Sequence, residues 1–549
     1  MIDKELCMSF QYSKDFPYPK IRKQQEEAID FALDSFVNKG KKFIIIEAGT
    51  GVGKSAVGLT VARYLSKTPA VDHFEDGAYF LTTQKILQEQ YVNDFGGFGG
   101  PMKSIKSSSN YTCRFNKKTS CGESLRALRT AEKGSRFWKA CTFNCIYRNA
   151  KESFLKSPEG VTNFPYFLAE TQYAGKLTPR QVLVIDEAHN VDSQLSKFIE
   201  ITISNRFCKS FLNFEIPTSF TAAKYVKWIE EKYVPTISKK LKHLEQMLEK
   251  YVGLTEKIKS GEFASIAKKF EIMDKHVCKV RRFLELYRSD NWVMNEIAAD
   301  GRSGRKIEFK PIDIAPFADE HLYRFGEVVI LMSATILDKN AFAESVGIPL
   351  DKAAFISLPS PFPVENRPVI YSGVGKMSSK AIDDTLPRMV QAVKAIMAEH
   401  KNEKGIIHCH SYKVANYLKK NIRSTRLLIH NSENREKVLE KHMKAKKPTV
   451  LISPSMTEGV DLKGDLSRFQ VICKVPYPYL GDKLVRKKMN KWKWWYPLQT
   501  AKTIVQAVGR SVRSSKDSAV TYILDSDFEM FYNRNRSMFP EGFRESLQK

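Results

Sequence analysis

Long apolar runs are missing from this chain. No stretch approaches the roughly 20 consecutive apolar residues of a membrane span. The opening Met1-Ile2-Asp3-Lys4-Glu5 lacks the hydrophobic segment of a secretory leader. Together these exclude a spanning protein and set the expectation of a chain that is not secreted, acting in the cytoplasm of a bacterial or phage-infected cell or in a nucleus. Cysteine is sparse, nine in 549 residues, with no tight C-x2-C pair, which argues against a disulfide framework and against the commonest zinc spacing. Acidic side chains fall short of basic ones, 61 against 88, leaving a formal charge of +27. That excess favours a polyanionic partner, nucleic acid first, over a merely solvated lysine surface. No additional acidic cluster of the kind a two-metal nuclease needs is present.

What is present centres on Ala48-Gly49-Thr50-Gly51-Val52-Gly53-Lys54-Ser55. It follows the apolar run Phe43-Ile44-Ile45-Ile46 and leads into a helical pattern from Ala56 to Tyr64. A buried strand, a glycine-rich turn and a helix start are the context of a phosphate-binding loop. The glycines let backbone N–H groups form a nest for phosphate oxygens, and the helix terminus adds partial positive charge. In that frame Lys54 reaches the β- and γ-phosphates and Ser55 ligates Mg²⁺. Ala48 stands where the generic pattern has glycine. Upstream, Arg22 and Gln25 open an amphipathic helix, and the Gln25 amide is placed to read an adenine edge.

A second apolar strand, Val182-Leu183-Val184-Ile185, ends in Asp186-Glu187-Ala188-His189. At the carboxyl edge of a parallel sheet, where ligands bind, Asp186 would hold Mg²⁺, Glu187 would polarise the attacking water, and His189 would couple the nucleotide site to a second domain. Ala78–Thr83 and Val328–Met332 are two more strands, the latter running into Ser333-Ala334-Thr335. The length is too great for one core, and two large domains with insertions are expected.

Between the loop and the acidic strand end, Phe95-Gly96-Gly97-Phe98-Gly99-Gly100-Pro101 reads as a linker. Cys113, Cys121, Cys141 and Cys145 follow with spacing C-x7-C-x19-C-x3-C, enough thiolates for one tetrahedral or cubane shell. Spacing alone does not choose the metal. Residues 205–310 read as amphipathic helices with Lys-rich polar faces, from Leu241, Leu244, Met247, Leu248 and Tyr251 and from Val277, Val280, Leu284 and Tyr287.

The second half repeats the α/β alternation without a second phosphate loop. Glu458-Gly459-Val460-Asp461 follows a strand, and Gln506 to Arg513 lies on a helix, where Arg510 and Arg513 project from one face. A guanidinium pair on a separate domain supplies charge to the γ-phosphate only when the domains close. Lys483–Lys488 and Lys491-Trp492-Lys493-Trp494-Trp495-Tyr496 interleave cations with rings, which suits single-strand binding; packing of the tryptophans in a core is the alternative.

The ordered set Ala48–Ser55, Asp186–His189, Ser333–Thr335, Glu458–Asp461 and Gln506–Arg513 resembles the motif series of a superfamily 2 helicase. Asn110-Tyr111-Thr112-Cys113, Thr162-Asn163-Phe164, Ser360-Pro361-Phe362-Pro363, Ser411-Tyr412 and the four-cysteine segment narrow the likeness to the XPD/DinG branch. It spans nearly the whole chain. The resemblance implies two RecA-like parallel-sheet domains, with an iron–sulfur insertion and a helical arch in the first. The divisions expected are 1–95, 165–204 and 311–345 for the first domain, 96–164 for the iron–sulfur insertion, 205–310 for the arch, and 346–549 for the second domain. It implies ATP hydrolysis with Mg²⁺ and 5′→3′ movement on single-stranded DNA with unwinding of tailed or forked duplexes. The setting implied is DNA repair or replication, by a monomer with or without a loading protein. The nucleotide contacts it implies are Arg22, Gln25, Ala48, Gly49, Thr50, Gly51, Val52, Gly53, Lys54, Ser55, His189, Gly459 and Asp461. The implied catalytic groups are Lys54, Asp186, Glu187, Gln506, Arg510 and Arg513. Cys113, Cys121, Cys141 and Cys145 would hold a [4Fe–4S] cluster, with zinc the alternative. The cysteine spacings depart from the tight pair common in the family. The resemblance sets the expectation of a compact phage-like or prokaryotic version, without the exonuclease domain that some relatives carry ahead of the residues matching Arg22 and Gln25. An RNA or 3′→5′ translocase and an ATP-gated nucleic-acid clamp are the rival expectations.

Overall fold

The computed structural model describes residues 10–49, 51–71, 73–97, 100–115, 117, 119–128, 131–175, 177–250, 261–299, 304–431, 433–454, 462, 464–509, 512 and 517–548. Two seven-stranded sheets carry the architecture, and every neighbouring pair within each is parallel. In the first, the spatial order is Ala353–Leu358, Phe43–Ala48, Gly326–Ser333, Arg180–Asp186, Glu75–Thr82, Glu159–Asn163, Met102–Ser104. Alternate residues face opposite covered sides. Ile44, Ile46, Val184 and Ile330 pack on the helices Lys23–Val37 and Lys54–Leu65, whereas Phe43, Ile45, Leu183 and Leu331 face a second core with Phe164, Phe167 and Tyr323. Burial on both faces is why these strands read as unbroken apolar runs.

The second sheet runs Leu427–Ile429, Val450–Ser453, Gly405–His408, Phe469–Ile472, Val520–Asp525, Val369–Gly375, Leu547–Gln548. It too is covered on both sides, by helices such as Ile382–Glu399 and Trp495–Val508. The α/β alternation expected of the second half forms.

Three sequence expectations change. Strands Met102–Ser104 and Glu159–Asn163 return to the first sheet, so the excursion bearing the cysteines lies between Ser104 and Glu159 rather than opening at residue 96. Strand Ala353–Leu358 pairs with Phe43–Ala48, so the first sheet extends past residue 345. The region read as helical also contains a three-stranded antiparallel sheet, Ile201–Ser204, Lys306–Pro311 and Trp292–Ile297. That sheet packs with helices Val234–Glu249 and Gly261–Leu286 around Tyr225, Tyr233, Phe283 and Phe309. Phe137 and Cys141 from the cysteine-bearing excursion enter the same core, so the two excursions are one packed body. No helix among the described residues is long and apolar enough to cross a membrane.

One buried histidine in that body sets an acid limit. The His276 ring lies against Phe207, takes part in a 2.8 Å hydrogen bond with the Tyr233 hydroxyl, and is held at about 4 by burial first and Lys279 second. Its neutral form is fully favourable above the unfolded value of about 6.5, and that stability is lost as the pH falls from there through about 4. His276→Gln is expected to flatten the loss of stability between pH 6.5 and 4 by about 3 kcal/mol. Urea midpoints measured at several pH values check this.

Candidate active site

The site lies at the carboxyl edge of the first sheet. Register places Glu47 beside Ser333 on one side and Ser357 on the other, and Asp186 beside Met332. The chain leaves the sheet at Ala48, turns through Gly51 at φ 85° and Gly53 at φ 88°, and enters the helix at Lys54. Those left-handed values are accessible to glycine at no steric cost. A side chain would also meet neighbours: a Cβ on Gly51 would lie 2.1 Å from Phe362 Cζ, and one on Gly53 would lie 2.4 Å from Gln25 Nε2 and displace that amide. Val52 is buried and anchors the loop. The Lys54 ammonium crosses the turn and donates to the carbonyls of Ala48, at 2.9 Å, and Gly49, at 3.5 Å. Arg22 donates to the Gly51 carbonyl at 2.7 Å, and the Gln25 side-chain oxygen accepts the Arg22 backbone N–H. Arg22 and Gln25 therefore lie against the loop itself, and Gln25 is buried.

Asp186 ends its strand nearly buried. Its Oδ1 accepts the Glu187 N–H at 2.9 Å, and its Oδ2 accepts the Tyr91 hydroxyl at 3.1 Å. Burial, and next the charge of Asp186, pushes the Tyr91 phenol well above its usual value. Glu187 adopts φ 53°, a left-handed value uncommon outside glycine, with its side chain about one-third exposed. His189 Nδ1 lies 3.3 Å from Glu187 Oε2 and 2.8 Å from Ser333 Oγ, and its Nε2 meets the Asn190 amide at 3.0 Å. Ser333 Oγ in turn accepts the Thr335 N–H, and Thr335 Oγ1 accepts from Gln506 Nε2 at 3.2 Å. Lys502, one turn before Gln506, donates to the His189 carbonyl. A continuous polar chain thus joins Glu187 to a helix packed on the second sheet.

Sequence reasoning missed Tyr91, Lys502 and Glu47. The Glu47 carboxylate accepts the Leu337 N–H and the Ser357 hydroxyl, tying neighbouring strand ends together; burial raises its pKa. These partners lie tens to hundreds of residues away, so no local pattern flags them. Thr50, Gly459, Asp461, Arg510 and Arg513 lie outside the described residues.

The basic, aromatic segment does much of its work within the chain. Lys488, nearly buried, pairs with Asp192 at 2.8 Å; Lys491 pairs with Asp313; and the indole N–H groups of Trp492 and Trp494 donate to the two oxygens of Glu344. Lys483, Arg486, Lys487 and Asn490 instead line a groove of about 460 Å³ against Trp292 and Met294.

Cys113, Cys121, Cys141 and Cys145 are buried thiols. The Cys121 thiol donates to the Thr112 carbonyl at 3.8 Å. Burial first, and then the neighbouring thiols, pushes Cys121 up to about 11; the Cys113 contact first, with burial, pushes Cys141 up further. No preformed group of three or more metal-ligating His, Cys, Asp or Glu side chains occurs among the described residues. The donor chemistry nevertheless suits a thiolate-bound centre: four buried thiols, of which Cys121 and Cys141 are disfavoured from ionising by burial and by the other thiols, so that ionisation awaits a compensating positive charge. Of the remaining cysteines, Cys208, Cys409 and Cys473 are buried and Cys278 is partly so; Cys7 lies outside the described residues.

Two parallel-sheet domains, a glycine-rich loop and an acidic strand end on the first, and a helix of the second reaching the same edge are the arrangement of a RecA-like nucleotide-driven motor. Residues 395–546 match the helicase C-terminal domain, and residues 18–223 match the type III restriction enzyme res subunit. A probable ATP-dependent helicase of Methanocaldococcus jannaschii is 23% identical, over 94% of this chain and 93% of its own. The ATP-dependent DNA helicase YoaA of Escherichia coli is 21% identical, over 95% and 93%. A solved XPD helicase, 16% identical, superposes with a TM-score of 0.63 over 95% of this chain and 98% of that one. These likenesses support a superfamily 2 helicase of the XPD/DinG type.

Proposed function

We propose that this chain is an ATP-dependent DNA helicase that moves 5′→3′ on single-stranded DNA and opens tailed or forked duplexes. The observation that carries the motor reading is the polar chain from Glu187 through His189, Ser333 and Thr335 to Gln506, which makes the hydrolytic edge of one domain sensitive to the position of the other. The relatives named as ATP-dependent helicases support the activity.

ATP would lie on the loop from Ala48 to Ser55, with Lys54 exchanging its carbonyl contacts for the phosphates. Ser55 and Asp186 would hold Mg²⁺, which supplies positive charge to the β- and γ-phosphate oxygens. Glu187 would orient the water and take its proton. Arg510 and Arg513, by their place in the motif, would bring positive charge to the γ-phosphate on closure, with Gly459 and Asp461 on the facing side. Opening of the cleft then lets the polar chain through Gln506 part, and repeated closure steps the two domains along one strand. Cys113, Cys121, Cys141 and Cys145 would hold a [4Fe–4S] cluster, which cross-links a folded body beside the strand's path; the chemistry of strand separation needs no electron transfer from it.

Strand separation of 5′-tailed and 3′-tailed DNA duplexes with ATP and Mg²⁺ tests the polarity. Unwinding confined to the 5′-tailed substrate is expected. Unwinding from the 3′ tail, or of RNA alone, would overturn the direction or substrate and keep the motor; ATP-dependent binding without turnover would reduce the chain to a clamp.

A further inference from the structure

One carboxylate at the edge of the first sheet takes no part in the roles above. Glu47 is the residue before the loop that opens at Ala48, and it is 8% exposed. Its strand lies between two others, with Ser333 beside Glu47 on one side and Ser357 on the other. Glu47 Oε2 accepts the Ser357 hydroxyl at 3.0 Å, and its Oε1 accepts the Leu337 backbone N–H at 2.7 Å.

The backbone at Leu337 is strained. Its φ is 66°, and the Asp338 N–H closes back on the Ile336 carbonyl at 2.8 Å. A tight turn with a bulky residue in left-handed space persists only where its surroundings hold it. This turn reverses the direction of burial. Ile336 packs in the core under the first sheet, whereas Leu337 packs against the cluster of Ile472, Val475, Ala501 and Ile504, in the core of the second domain. Just beyond, Asp338 caps the helix Lys339–Val346, whose Phe342 and Val346 return to the first core. Leu337 is thus a tooth of the first domain set into the second, and Glu47 fixes the amide from which it projects. We propose that Glu47 is a positioning residue for the ATP-driven cycle: it holds the turn at Leu337, so that the start of the phosphate loop and the core of the second domain keep one register. The proposal rests on the motor reading of the chain. Glu47 touches neither nucleotide nor DNA in this scheme; it acts through the Leu337 amide.

The test is the increment in ATP turnover produced by a single-stranded DNA oligonucleotide, divided by the basal rate. A variant that is merely part unfolded lowers both rates and leaves this ratio unchanged. Glu47→Ala strips the acceptor and leaves the Leu337 N–H without its partner. The ratio is expected to fall about tenfold, the scale of coupling between sites, with affinity for a fluorescent ADP derivative kept within about twofold. Glu47→Gln is expected to keep the ratio within about twofold, because its amide oxygen can accept the Leu337 N–H and its amide nitrogen can donate to Ser357. Leu337→Gly relaxes the turn and removes the tooth. It is expected to lower the ratio as Glu47→Ala does, and the double variant is expected to lower it no further. A ratio kept by Glu47→Ala or by Leu337→Gly, or an additive loss in the double variant, would overturn the proposal. An equal loss in Glu47→Gln would also overturn it, by making the charge rather than the held turn the active property. Where thermal unfolding shows that Glu47→Ala does not fold, Leu337→Gly decides. An unsubstituted protein whose turnover DNA does not stimulate would instead reject the motor reading, and this proposal with it.

Discussion

Glu187→Gln is expected to lower ATP turnover by about 10³-fold while leaving nucleotide affinity within about twofold. Glutamine has the shape of glutamate and can still meet His189, 3.3 Å away, by a hydrogen bond. It cannot take a proton from water. The phosphate contacts are unaffected, because the loop from Ala48 to Ser55 is held by Arg22, Gln25 and its own lysine rather than by Glu187. Steady-state phosphate release gives the rate, and binding of a fluorescent nucleotide gives the affinity. Turnover surviving in Glu187→Gln would remove this residue as general base and move the search to its neighbours at the strand end.

Cys141→Ser is expected to bring iron from about four per chain to near zero and to abolish duplex unwinding, while DNA-stimulated ATP hydrolysis persists in part. Cys141 belongs to the core of the inserted body with Phe137, Tyr225 and Phe283, whereas Cys121 and Cys145 belong to the core under the first sheet. A centre bound by all of them would therefore fasten one core to the other, and losing one sulfur frees the body from the motor. The contacts that hold the phosphate loop and the acidic strand end come from Arg22, Gln25, Tyr91 and Ser333, which is why hydrolysis should outlast unwinding. Iron analysis and absorbance of anaerobically purified protein, alongside strand separation, check both halves. Normal unwinding by an iron-free variant would dismiss any part for the cluster in separating strands.

The central strands were legible because they are covered on both faces: Phe43–Ile46 and Val182–Ile185 have no polar residue to hide the pattern. Glu159–Asn163 is equally buried yet polar, and its polarity is satisfied at a distance. Glu159 meets Arg63, Thr162 donates to the Ile105 carbonyl, and Asn163 both bonds Gln88 and caps the helix that follows. Such a strand has no periodic signature, since its partners come from four other elements. The same reason separates the glycine-rich loop, whose pattern is written in consecutive residues, from Tyr91, whose hydroxyl meets Asp186 only in the folded chain. The segment from Lys483 to Tyr496 shows the converse. Its composition suited nucleic acid, but Asp192, Asp313 and Glu344 occupy several of its donors, leaving Lys483, Arg486 and Lys487 on the groove beside Trp292.

The left-handed backbone at Glu187 has an evolutionary side. Holding a side chain at φ 53° costs on the order of 1 kcal/mol relative to a glycine in the same place. The position that the proposed chemistry requires to be acidic is one that the backbone alone would fill with glycine. Selection for a sturdier fold and selection for a working motor thus pull this codon in opposite directions, and a lineage released from hydrolysis would be free to drift there first.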